Sequence, residues 1–247
     1  MKANLFVVFQ HLLPRHWLTA VIYRIARIRN ARIKDFLITR FVRVFEVDLD
    51  EVRLDVPGDF ATFNEFFVRE LKDDARKIDD DSDAIISPAD GTVSFAGKIL
   101  GDSIFQAKGF DYSLGVLLAT DLDEVDRYID GNFATIYLAP YNYHRVHAPL
   151  AGELVAARYV PGDLFSVNEA TVAKLNGLFR RNERLVMHFR TEHGPMVVIL
   201  VGALNVGSIS TPWTGEIRPR KTGVVDVLDT SSHPTQVAKG DLLGWFN

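Results

Sequence analysis

The nine residues Tyr141-Asn142-Tyr143-His144-Arg145-Val146-His147-Ala148-Pro149 crowd polar, aromatic and basic groups together behind an apolar run, Phe133 to Leu138. Two histidines three apart, beside tyrosine and arginine, suit acid–base work, because imidazole titrates near neutral pH. The same spacing could ligate a metal, but no third ligand is evident, and no metal site is expected. A single histidine in such a stretch is by default a hydrogen-bonded structural residue. On a strand His144 and His147 would point to opposite faces; on a helical turn they would share one. The chain has no cysteine, which excludes disulfides, a thiol nucleophile, iron–sulfur clusters and sulfur-based zinc sites.

Asp90 precedes Gly91 in a predicted turn. Asp-Gly is a common turn pair, and a carboxylate there could also orient a histidine, as in a Ser-His-Asp arrangement. Gly162-Asp163-Leu164-Phe165-Ser166-Val167-Asn168 reads either as a plain hairpin turn or as a phosphate-recognition loop built from backbone N–H groups with Ser166 and Asn168. The chain contains no Gly-x-Ser-x-Gly elbow, so a lipid hydrolase built on that motif is disfavoured.

The elements that must position these groups fall into two parts, 1–47 and 48–247. Residues 1–45 carry nine Lys/Arg and one acid, a net of +8, and the remainder carries −12. The basic part is also apolar. Leu5, Phe6, Val7, Phe9, Leu12 and Leu13 precede Pro14, which is expected to separate two short helices. Leu18, Val21, Ile22, Ile25 and Ile28 then recur at helical spacing between arginines. Such a segment is either a helix packed on the core with a solvated basic face or an anchor on an anionic membrane surface, with Trp17 and Tyr23 suited to the interface. A nucleic-acid arm would leave its apolar side chains without a role. No apolar run reaches the roughly 18 residues of a membrane-spanning helix.

Beyond residue 46, Phe63 to Leu71 reads as a helix with Thr62 as N-cap and Glu65 as its capping-box partner. Asp79, Asp80, Asp81 and Asp83 form a solvated acidic loop. After Ile85 the pattern is short β-rich runs broken by glycine, including Met196–Val201 and Gly223–Leu228. With 47% hydrophobic and 24% charged residues in 247, the expected fold is α+β: an antiparallel β sandwich or barrel behind N-terminal amphipathic helices. Ser87-Pro88-Ala89-Asp90-Gly91-Thr92-Val93 echoes Ala148-Pro149-Leu150-Ala151-Gly152-Glu153-Leu154, and Pro161-Gly162-Asp163-Leu164 echoes Lys239-Gly240-Asp241-Leu242. These turns resemble those of barrel-sandwich hybrid domains, although no attachment lysine in a carrier motif follows.

Five stretches together resemble the phosphatidylserine decarboxylase family: Phe63–Leu71, Ser87–Gly91, Leu138–Pro149, Pro161–Asn168 and Lys239–Phe246. They occur in family order, and the segment around His144 and His147 is the most specific. The resemblance implies a proenzyme that cuts itself between Gly and Ser in a Leu-Gly-Ser-Thr motif beyond Asn247. On this reading the chain is the β subunit. The Ser becomes a covalently held pyruvate, the pyruvoyl group, at the start of a separate, small α subunit. That carbonyl would form a Schiff base with the serine amine of the lipid and act as electron sink while carbon dioxide leaves.

The resemblance further implies His147 as base for maturation with Asp90 as its orienter, His144 as the acid that protonates Cα, and Ser166 and Asn168 as contacts for the lipid phosphate. Implied partners are the α subunit and a phospholipid membrane bearing phosphatidylserine, on the cytoplasmic face as a peripheral protein, and no nucleic acid. A dimer of αβ units is left open. Two rivals stand beside this reading: a non-enzymatic barrel-sandwich carrier or scaffold on the membrane, and a pyruvoyl decarboxylase of a soluble amino acid, which would not need residues 1–45.

Overall fold

The computed structural model describes residues 2–107, 110–120 and 125–247, with side chains from Val7 onward, so the side chains of Leu5 and Phe6 lie outside the described residues. Three helices open the chain: α1 (Lys2–Leu12), α2 (Arg15–Ala26) and α3 (Ala31–Phe45). Pro14 separates the first two as expected, because its ring cannot continue a helix. The third begins at Asn30, whose side chain accepts the Ile33 N–H, and ends at Glu46 in the left-handed conformation. No described helix is long and apolar enough to cross a membrane.

The next helix, α4 (Phe63–Phe67), is shorter than the 63–71 expected. Its start is capped as predicted: the Thr62 hydroxyl accepts the Glu65 N–H at 3.1 Å, while the Glu65 carboxylate reaches back to the Ala61 N–H rather than to that of Thr62. Its end comes early because the following residues pair with an earlier segment. Glu70 accepts from Arg53 N–H, and Lys72 donates to the Glu51 carbonyl.

The strands are β1 (Thr92–Lys98), β2 (Ser103–Ala107), β3 (Phe110–Ser113), β4 (Asn132–Tyr137), β5 (Arg145–His147), β6 (Gly152–Val160), β7 (Arg184–Thr191), β8 (Gly194–Val201), β9 (Ile209–Thr211), β10 (Gly215–Ile217), β11 (Asp226–Val227), β12 (Gln236–Val237) and β13 (Leu242–Phe246). Short helices α5 (Leu114–Leu118), α6 (Glu169–Val172) and α7 (Leu178–Arg181) sit between them. The fold is α+β, and the strand pairings among the described residues are antiparallel, with one isolated parallel bridge between Asp163 and Asn182. One sheet runs β10-β9-β13-β5. A second runs β11-β6-β7-β8, with β12 also on β6.

These two sheets face each other across the main core. Val146, Ile209, Leu243 and Phe246 from the first meet Leu154, Leu185, Met187, Phe189 and Leu200 from the second. The opposite face of β7 and β8 is apolar too, with Val186, Val197 and Ile199 packed towards α5 and Ile104, which explains the uninterrupted hydrophobic runs there. The α+β class with antiparallel sheets is as expected. A closed barrel does not form among the described residues, since β1-β4 and β2-β3 remain separate two-stranded ribbons. The strand expected over 223–228 contracts to Asp226–Val227, with Val224 and Val227 left exposed.

The Pro-x-x-Gly echo is structural. Gly91 leads into β1 and Gly152 into β6, and each lies against a carbonyl of the partner strand. A Cβ at Gly91 would stand 2.5 Å from the Tyr137 oxygen, and at Gly152 2.7 Å from the Arg190 oxygen. Replacing Gly152 with alanine therefore forces β6 off β7. The expected cost is about 1–3 kcal/mol, read as a lowered denaturant midpoint. A midpoint unchanged from the parent would contradict this close approach.

Candidate active site

β5 carries His147, and β13 lies antiparallel on it, with Leu242 opposite His147 and Trp245 opposite Arg145. The turn before β13 folds back: Ala148 N–H donates to the Asp241 carbonyl at 2.8 Å, and Gly240 N–H donates to the Ala148 carbonyl at 2.9 Å. On the other side, His147 N–H donates to the Pro88 carbonyl at 2.7 Å, which brings the Asp90 turn alongside. Two pieces far apart in sequence are thus pinned to one strand.

Both ring nitrogens of His147 are engaged. Nδ1 faces the Gly240 carbonyl at 2.8 Å, and Nε2 faces the Tyr143 hydroxyl at 3.0 Å. A carbonyl can only accept, so Nδ1 carries the proton and Nε2 is the basic nitrogen. The Tyr143 ring stacks near-parallel to the imidazole, 17° apart with centroids 5.7 Å apart.

The expected hydrogen bond from Asp90 to His147 is not formed among the described residues. Arg76 takes Asp90 instead, donating Nε to both carboxylate oxygens at 3.0 Å and Nη2 to one at 2.6 Å. The same guanidinium grips Glu51 through two 2.7 Å bonds. A planar fork matches carboxylate geometry better than a single imidazole N–H does, and Gly240 already holds that N–H. Asp90 nonetheless lies near enough for its charge to act on Tyr143 and Arg69.

His144 sits just before β5, buried to 4% exposure, with its ring stacked on Phe67 at 4.1 Å. Its carbonyl accepts from Phe246 N–H, while neither ring nitrogen has a well-formed hydrogen-bond partner. Burial, reinforced by the positive charge of Arg69, pushes the imidazole down to about 4, against an opposing pull from the Pro140 and Ala139 backbone. Arg69 is equally buried. Its Nη2 donates to the Tyr141 carbonyl at 3.0 Å, but Nε and Nη1 have no partner. A buried cation with two unspent N–H donors thus sits beside a buried, neutral imidazole, an arrangement suited to receiving an acceptor oxygen at Arg69.

Ser166 and Asn168 lie elsewhere, on the loop that α1 and α2 grip. Ser166 N–H donates to Gln10 Oε1 at 2.8 Å, and Asn168 Oδ1 caps α6 by accepting Thr171 N–H at 3.0 Å. Arg15 clamps Asp163 in the same loop with bonds of 2.7 and 2.5 Å and lies over the Phe165 ring. No described contact joins this loop to His144 or His147. Among the described residues no cluster of His, Cys, Asp or Glu could hold a metal.

Several partners escaped the sequence reading. Phe67 and Arg69 fall inside the Phe63–Leu71 stretch, and Tyr143 sits four residues before His147, so each had a positional cue. Arg76 and the Gly240 carbonyl had none.

The arrangement suits acid–base chemistry: a basic nitrogen held in one tautomer and a second, desolvated imidazole on the same stretch of chain. Comparison with known proteins narrows this. Residues 63–247 match the family model described as phosphatidylserine decarboxylase, and residues 5–46 match a second model described as PSD. A phosphatidylserine decarboxylase proenzyme of Saccharophagus degradans is 45% identical over 246 residues, covering 100% of this chain and 86% of that protein. The proenzyme of the same name from Alcanivorax borkumensis is 47% identical, covering 100% of this chain and 85% of its own length. That of Sodalis glossinidius is 48% identical over 219 residues, 89% of this chain and 74% of that protein. The chain belongs to the phosphatidylserine decarboxylase family and is an enzyme.

The depressed His144 has a thermodynamic consequence. Its folded value lies below the unfolded 6.5, so its contribution is fully present above pH 6.5 and is lost as pH falls towards 4. His144→Gln should flatten the loss of stability across that window, a difference of about 3 kcal/mol at most. Denaturant melts of both proteins between pH 7 and pH 4 measure it, and parallel curves would show that His144 is not desolvated.

Proposed function

We propose that this chain supplies the acid–base half of a self-processed enzyme that converts phosphatidylserine to phosphatidylethanolamine and carbon dioxide, with a covalent pyruvoyl group on a partner α subunit. The carrying observation is the pairing of β13 on β5, which runs residues 242–246 alongside His147 and His144. His147 lies opposite Leu242 at the start of β13, and the strand ends beside His144, whose carbonyl accepts from Phe246 N–H, so chain that continues past Asn247 leaves from the His144 and Tyr143 end of β5. That the relatives are named proenzymes agrees with processing.

The residues present fit such a group. A pyruvoyl group offers carbonyl oxygens as acceptors, and the buried Nε and Nη1 of Arg69 are donors without a partner. When in place, the group supplies an electron sink for the substrate's Cα after carboxylate loss.

The chain's own residues do the rest. In maturation, His147 is the base that takes up, at Nε2, the proton equivalent lost by the attacking serine, while the Gly240 carbonyl keeps the tautomer and ring orientation fixed. Asp90 contributes at one remove, as a negative charge held in place by Arg76 beside Tyr143. In turnover, His144 holds the proton destined for Cα. Desolvation and Arg69 keep its ring neutral in the free site. An incoming anionic substrate offsets the Arg69 charge, so the ring gains a proton when substrate is bound. Ser166 and Asn168, tied to α1 through Gln10, belong to the loop proposed to meet the lipid phosphate.

The N-terminal helices fit a membrane surface. Phe9, Leu12, Trp17, Phe36 and Val44 are exposed apolar side chains, and Arg24, Arg32, Arg40 and Arg43 are exposed cations on the same three helices. This combination favours peripheral attachment to an anionic leaflet on the cytoplasmic face.

Two experiments test the reading. In the full precursor, His147→Ala should leave a single uncleaved chain, whereas His144→Ala should cleave and then lose decarboxylation by about 10²-fold or more. Normal cleavage of the first, or normal turnover of the second, removes the assigned role. Sedimentation with phosphatidylglycerol vesicles should retain the protein at low salt and release it at high salt, and Trp17→Glu should weaken retention. Equal binding to purely zwitterionic vesicles would remove the electrostatic part.

A further inference from the structure

His147 cannot reach a new hydroxyl directly in the geometry it holds. The imidazole has one lone pair in the ring plane at Nε2, and the Tyr143 hydroxyl occupies it at 3.0 Å. Nδ1 is committed to Gly240. Tyr143 is not loosely placed: it is half-buried, its ring is nearly parallel to the imidazole, and its backbone joins directly to buried His144. Its hydroxyl has no other described hydrogen bond, so the oxygen lone pairs are open to a donor.

We propose that Tyr143 is a proton relay for self-cleavage, passing the serine proton to His147 through its own hydroxyl. The proposal rests on the maturation reading above. The serine O–H proton moves to the phenol oxygen while the phenol proton moves to Nε2. The serine oxygen bonds the carbonyl carbon of the preceding glycine. The imidazolium proton then goes to the amine nitrogen as the C–N bond breaks. Tyr143 ends protonated, His147 ends neutral, and no proton is gained or lost overall.

The surroundings suit a phenol that stays neutral between transfers. Burial raises the Tyr143 hydroxyl above its ordinary value, as do the charges of Glu70 and Asp90, against Arg145 and Arg76. Arg145 is held to Glu70 and Arg76 to Asp90, so neither cation is free to trap a phenolate. A phenol held neutral accepts one proton only as it releases another, which is what a relay requires.

The test is the self-cleavage rate of the full precursor in mixtures of H2O and D2O, followed by the appearance of two chains on a gel. A relay moves two protons together, so the rate should curve downward against deuterium fraction. Tyr143→Phe should slow cleavage by about 10²-fold and make the plot linear, since His147 then takes the serine proton alone. A linear plot for the unsubstituted precursor overturns the relay whether or not the variant folds. A variant that cleaves at the parent rate overturns it too. A precursor that never cleaves removes the maturation reading and the relay with it, whereas cleavage with a linear plot removes the relay alone.

Discussion

Gly240 donates its N–H to the Ala148 carbonyl and offers its own carbonyl to His147 Nδ1, so one residue ties the turn before β13 both to the backbone just after β5 and to a side chain on that strand. That pair of bonds is the constraint on which the site depends. It sets the register in which Leu242 faces His147, and it decides which imidazole nitrogen is basic. Gly240 adopts φ +88, and Ile78 packs 3.1 Å from where a Cβ would stand. A side chain there would disturb the turn that aims the carbonyl. In a Ser-His-Asp arrangement a carboxylate would sit on Nδ1. A neutral carbonyl in that place fixes the tautomer but contributes less than a carboxylate would to holding an imidazolium.

The two histidines share a motif and live under opposite physics. His147 is partly exposed and fully hydrogen-bonded. His144 is buried, stacked on Phe67 and unpartnered. An apolar wall and an adjacent guanidinium both penalise its charged form. The aromatic wall extends outward: Phe67 stacks with Phe63, and Phe41 of α3 packs edge-on against both. Displacing α3 would therefore loosen the surface against which His144 is held, linking the basic N-terminal segment to the chemistry through packed rings.

Legibility in the sequence followed the range of the interaction. Features set by neighbours in the chain were readable: the break at Pro14, the Thr62 cap, the solvated aspartates and the apolar run of β8. The Pro-x-x-Gly echo was readable because a glycine facing a partner carbonyl leaves a trace at fixed spacing. The end of α4 was not, because residues 70–72 are claimed by residues 51–53 through non-local pairing that overrides helical propensity. The histidine pair was legible from residue type, but its partners were not. Whether Arg76 or His147 takes Asp90 is a competition between donors distant in sequence, decided only when β1, β5 and the 72–76 segment meet.

The loop carrying Ser166 and Asn168 has a connection to α1 that its own sequence does not disclose. Gln10 is completely buried and spends both ends of its amide on that loop, accepting from Ser166 N–H and donating to Thr171. Arg15 adds a charge-assisted clamp on Asp163. Burial favours the protonated acid, but the Arg15 and Leu164 hydrogen bonds outweigh it and hold the carboxylate below its usual range. Buried amides and guanidinium–carboxylate pairs are costly when half satisfied, so the helices and the loop are stable together and not separately. The segment that carries the exposed apolar and basic surface is thus joined to the loop by polar bonds, and to the His144 pocket by aromatic packing. Two independent attachments make the N-terminal helices part of the folded body rather than a tether, and any force a surface exerts on α1 to α3 reaches the rest of the protein at both points.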